Sequence, residues 1–138
     1  MNKTALETVR SYYDSLAPGR RQNLMEILDP DVVLEIQEGM PGTRPSYTGI
    51  KAYMEEFLFD VYAEFEVELV PEEFFHSGRH VAALGRQKGR AVRSGIAYDV
   101  RFSHIWMVST GKATQVRMFT DTAVLRDAVA GVPSPARP

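Results

Sequence analysis

The chain contains no cysteine, which excludes disulfides, cysteine-ligated zinc and a thiol nucleophile. It has no apolar run near the ~18 residues of a membrane span, and its opening MNKTALETV holds no apolar segment of a secretory signal. An excess of positive charge is also missing. Sixteen basic against eighteen acidic residues give a net charge of -2, which argues against nucleic acid as the main partner. No GxGxxG, Walker A or GxSxG motif occurs, so no cofactor is expected. His76 and His80 straddle the turn predicted at Ser77-Gly78, and His104 is remote from both. Zinc wants three or four convergent ligands, so no metal is expected. The expectation left standing is a soluble, cytoplasmic protein.

What is present is an ordinary globular composition, 44% hydrophobic and 25% charged over 138 residues, enough for one core. One domain is expected over residues 1–130, followed by a flexible proline-rich tail over 131–138. Thr4 and Glu7 have the spacing of a capping box, and Leu6, Val9, Tyr13 and Leu16 follow at helical spacing until Pro18-Gly19. Leu24, Ile27 and Leu28 suggest a short second helix that stops before Pro30. Val32 to Ile36 reads as a buried strand, residues 37–49 as a loop rich in glycine and proline, and Ile50 to Val61 as a third helix.

From Glu64 the period changes to two: Phe65, Val67 and Leu69 alternate with Glu64, Glu66 and Glu68. Ser77-Gly78 marks a turn, and Val81 to Val92 is expected to return antiparallel. Residues 55–73 carry eight acids and no base, whereas the return segment carries Arg79, Arg86, Lys88, Arg90 and Arg93 and no acid. Opposite charges facing across a hairpin are favourable, so the basic run reads as a solvated strand face. Tyr98 to Val108 and Ala113 to Thr120 are two further strands, and Asp121 or Thr122 caps a last helix through Val129. The order α-α-β-α-β-β-β-β-α predicts an α+β domain, with helices on one face of a curved, mostly antiparallel sheet. Such a cone has an apolar mouth suited to a small apolar ligand.

That order, with the phrases YYDSLAPGRRQNLMEILDPDVVLEI, YTGIKAYMEEF and FSHIWMVSTGKATQVRMFTD, resembles the NTF2-like superfamily, and within it the SnoaL-like and ketosteroid-isomerase-like proteins. The resemblance implies a cone-shaped fold and a homodimer formed through the outer sheet face. It also implies a cofactor-free small-molecule site used by isomerases, polyketide cyclases, lyases and non-catalytic binders alike. Fold alone does not choose among these.

By the same resemblance Tyr12 matches the tyrosine that donates to an enolate oxygen in the isomerase. Its acidic partners are absent: the first aspartate position falls on Ile36, the second on Ser103, and the cyclase acid, six residues after Lys112, on Met118. Methionine cannot transfer a proton. His104 is the remaining acid-base candidate, with Asp99 or Asp121 as orienter. Two geometries compete for its strand. In one, Phe102, His104 and Trp106 face the cone; in the other Asp99, Arg101 and Ser103 do, which alignment to the isomerase favours. Tyr13, Leu34, Ile36, Tyr53, Phe57, Arg101, Ser103, Trp106 and Met118 complete the expected lining. Asp121 has a simpler reading as a helix cap. Enzyme and binding protein both stay open.

Overall fold

In the computed structural model, which describes residues 3–134, the chain opens on helix α1 (Ala5–Asp14), and the capping box forms in both directions. The Glu7 amide donates to Thr4 Oγ1 and the Thr4 amide to Glu7 Oε1, each at 3.1 Å. The buried stripe of α1 is Thr8, Val9, Tyr12 and Tyr13. A 3-10 turn over Arg21–Asn23 leads into the short helix α2 (Leu24–Ile27). Strand β1 (Leu28–Ile36) follows at once, longer than the apolar run suggests. Its register shifts between Leu28 and Val33 around Pro30, which has no amide proton to give to a ladder.

The expected loop over 37–49 contains a strand, β2 (Ser46–Thr48), paired antiparallel with β1. Three residues between glycine and proline are too few to show a period, so backbone pairing and the buried ring of Tyr47 reveal it instead. The third helix is made of three abutting parts: α3 (Ile50–Ala52), a π-helical stretch (Tyr53–Phe57) and α4 (Leu58–Glu64). Wide turns of this kind recur at functional sites, and Tyr53 and Phe57 at its two ends are both buried.

Four long strands complete the sheet: β3 (Phe65–Ser77), β4 (His80–Ala91), β5 (Ala97–Ser109) and β6 (Lys112–Thr120). Helix α5 (Thr122–Val129) closes the described chain, capped by Asp121, whose carboxylate accepts from the Val124 amide at 3.2 Å. Residues 135–138 of the expected tail lie outside the described residues. The six strands are ordered β2-β1-β6-β5-β4-β3 in a curved, unclosed sheet, antiparallel except where β1 meets β6. The β3–β4 register sets Glu66 opposite Arg90 and Glu68 opposite Lys88, the charge pairing the two composition runs predict.

Small inward residues on β4 make room for rings on β5. Ala83 lies opposite His104 and Gly85 opposite Phe102. A Cβ on Gly85 would sit 2.1 Å from the Val70 carbonyl oxygen and 2.9 Å from the Phe102 ring, so glycine alone fits that crossing.

Candidate functional site

Burial along β5 alternates without interruption: Tyr98, Val100, Phe102, His104, Trp106 and Val108 are buried, and the odd positions are not. Period two therefore turns His104 and Trp106 toward the helices. Asp99, Arg101 and Ser103 fall on the outer face, opposite to the placement that alignment to the isomerase favours. Asp99 accepts there from Arg86 at 3.2 Å, as a partly exposed ion pair. The physical reason is that the even row carries the aromatic mass and the odd row the charges, and burial chooses the former.

Between the sheet and the helices lies a cleft of about 660 Å³, open mouth included. Tyr12 enters it from α1 and Leu16 from the turn that follows, Tyr53 and Phe57 from the π-helical stretch, and Leu58, Val61 and Tyr62 from α4. Val67 and Leu69 of β3, Gln87 of β4 and His104 of β5 form the floor, with Ile36 and Met118 at one side. Gln37, Met40, Phe119, Thr120 and Thr122 complete it. No aspartate, glutamate, lysine or arginine lines the cleft among the described residues. Nor do those residues contain a group of three or more histidine, cysteine or acidic side chains able to hold a metal.

The cleft thus brings together Tyr12, His104, Ile36, Tyr53, Phe57 and Met118. Leu34, Tyr13 and Trp106 are buried in the core around it rather than in its lining. Asp121 is occupied as the α5 cap, and Asp99, Arg101 and Ser103 are outside. Gln87 went unrecognised in the sequence; it is 7% exposed and lines the floor. Its signal was a polar residue in the inward row Val81, Ala83, Gly85, readable only once that row is known to face in.

Two sets of polar atoms are built into the apolar wall. The hydroxyls of Tyr12 and Tyr53 are hydrogen-bonded to each other, and burial raises both phenols above their ordinary range, so both are neutral. Behind the wall, Trp106 Nε1 donates to Tyr13 Oη at 3.0 Å, and Tyr13 Oη lies 2.6 Å from His104 Nδ1. Burial lowers His104 to about 3, leaving a neutral imidazole near neutral pH. Neutral hydrogen-bonding groups in a dry site suit an uncharged ligand carrying one or two oxygens.

At the rim, Tyr47 donates to Asp60 Oδ2 at 2.6 Å and accepts from the Arg44 amide at 3.0 Å. The Arg44 side chain covers the Tyr47 ring and pairs with Glu56 at 2.8 Å. This clasp ties the β1–β2 connection to the helices that wall the cleft.

Comparison with known proteins fits this geometry. The family described as the SnoaL-like domain matches residues 9–116, and no curated protein matches. Among solved structures, an NTF2-like protein of unknown function from Burkholderia pseudomallei is 27% identical, covering 92% of this chain and 98% of its own, with a TM-score of 0.81. TerC, co-crystallised with polyporic acid, is 26% identical over 91% of this chain and 98% of its own, with a TM-score of 0.83. A candidate SnoaL-like polyketide cyclase from Jannaschia sp. is 21% identical over 94% and 93%, with a TM-score of 0.78, a likeness of fold alone.

Proposed function

The chain belongs to the SnoaL-like domain family, and from that premise we propose that it binds an apolar, carbonyl-bearing small molecule in the cleft between sheet and helices. The observation that carries this reading is the lining itself, which is apolar and aromatic, holds a few neutral hydrogen-bonding groups and has no charged side chain among the described residues. Such a wall favours a ligand that gains from leaving water, at about 25 cal/mol per Å² of apolar surface. Its oxygen would be held by the Tyr12–Tyr53 hydroxyl pair.

The chemistry we propose for this arrangement is isomerisation, cyclisation or elimination through an enolate. Negative charge gathering on a carbonyl oxygen is stabilised by donors fixed in a water-poor site, and Tyr12 is the group proposed for that task. A second reading is favoured by the missing carboxylate: without a side-chain base in the lining, the domain binds its ligand and does not turn it over. In either reading we propose a homodimer through the outer sheet face, where Ile105 is 36% exposed and Leu84 and Met107 are half-buried.

Polyporic acid, the compound co-crystallised with TerC, is an aromatic hydroxyquinone and serves as the first probe. It is expected to raise the melting temperature of this protein, and Tyr12→Phe is expected to weaken its binding about tenfold. Chromatography after incubation with enolisable apolar ketones then separates the two readings: a new product marks an enzyme, unchanged ketones a binder. If neither polyporic acid nor a panel of apolar ketones shifts the melting temperature, the binding proposal fails.

A further inference from the structure

Tyr13 sits at the middle of a buried line of polar atoms that reaches the cleft through His104. The Trp106 indole N–H can only donate, and it donates to Tyr13 Oη at 3.0 Å. The hydroxyl has one proton of its own. Its other close neighbour is His104 Nδ1 at 2.6 Å. Were Nδ1 protonated, the Tyr13 oxygen would face two donors, and its own proton would lack an acceptor among the described residues. With Nδ1 bare, Tyr13 donates to it and every atom of the line is matched. Buried hydroxyls left without an acceptor are disfavoured, so the matched arrangement prevails.

The other ring nitrogen is on the cleft side. His104 is 3% exposed and lines the cleft, and its Nε2 has no protein partner among the described residues. No buried side-chain nitrogen or oxygen there lacks a partner, so Nε2 is open to the cavity. We infer that Trp106 and Tyr13 lock His104 in the tautomer protonated at Nε2, so that the cleft presents a fixed N–H donor to an acceptor oxygen of its ligand.

This inference rests on the reading that the cleft holds a carbonyl compound, and it names the side of the hydrogen bond that the ligand must supply. A quinone, ketone or enolate oxygen fits; a ligand offering only donors does not. His104 then acts as a polarising donor instead of the general acid-base expected from its residue type, and Tyr13 and Trp106 are positioning residues. The surroundings support a ring that stays neutral. The rings of Tyr13 and Phe102 pack against it, Ala83 and Met118 lie opposite on the flanking strands, and none of these carries a charge. Burial alone holds the imidazole down to about 3.

The test is the nitrogen spectrum of the free, ¹⁵N-labelled full chain, in which His104 is one of three histidines. Long-range ¹H–¹⁵N correlations are expected to show a bare Nδ1 and a protonated Nε2, unchanged between about pH 5 and 8. A protonated Nδ1, or an imidazolium within that range, overturns the tautomer lock. In Tyr13→Phe both tautomers are expected; Nε2–H alone would show that Tyr13 does not position the ring. Binding of polyporic acid tests the ligand side. His104→Gln, which keeps an N–H donor, is expected to stay within about threefold of wild type, and His104→Leu to lose about tenfold. Equal losses in the two variants overturn the donor role. Failure of wild type to bind both polyporic acid and the panel of apolar ketones counts against the proposed function, while the tautomer is decided separately by the ligand-free spectrum.

Discussion

Burial of His104 has a consequence for stability whose sign is fixed. The unfolded chain takes up a proton near pH 6.5, which the folded chain refuses until about 3. Above pH 6.5 the two states bind equally and the residue contributes nothing. Below it the unfolded state binds more protons, so stability falls as the pH drops from about 6.5 toward 3, by a total on the order of 5 kcal/mol. The melting temperature of wild type is therefore expected to fall more steeply between about pH 6.5 and 4 than that of His104→Leu, which has no proton to take up. Parallel curves would show that the ring is not buried neutral. Asp121 gives a contrasting test. As a cap it is worth about 1 kcal/mol, so Asp121→Ala is expected to lower the melting temperature by a few degrees and leave ligand affinity as it was. A loss of affinity of tenfold or more would return it to the site.

Among the elements, the connection between β1 and α3 has an anchored rim where its composition suggested an open loop. Tyr47→Phe removes the donor to Asp60 and the acceptor for the Arg44 amide, at a cost of about 1–3 kcal/mol. Amide exchange over 46–48 is expected to quicken in that variant while β5 stays protected; unchanged exchange would show that the clasp does not hold β2. The long elements were legible because their signals are local. The capping box at Thr4 and Glu7, the change to period two after Glu64 and the turn at Ser109 to Lys112 each sit within a few residues. What escaped leaves no local period: β2 is three residues long and defined by its pairing with β1, and the π-helical stretch keeps the composition of an ordinary helix. The facing of β5 escaped for a different reason. Its even row holds a histidine and its odd row an isoleucine and a methionine, so apolarity alone did not decide, and the side chosen from the isomerase alignment was the exposed one.

At the scale of the molecule, the two faces of the sheet divide the work. The inner face builds the cleft with Gln87, His104 and Met118; the outer face carries Leu84, Ile105 and Met107 among charged neighbours. If two copies meet there, Ile105→Glu is expected to shift the protein from dimer to monomer in sedimentation or light scattering, with the cleft still able to bind. A wild type that is monomeric at all concentrations would refute the dimer. The strand order carries a further implication for synthesis. Strand β6 lies between β1 and β5, so the first strand made must wait for the last before it has a neighbour on that side. Until Lys112–Thr120 has left the ribosome, no strand joins β1 and β2 to the rest of the sheet, and Ile36 and Met118 cannot meet as paired residues. The cleft is thus among the last parts of the molecule to take shape, and a nascent chain arrested before β6 would expose its apolar wall to chaperones.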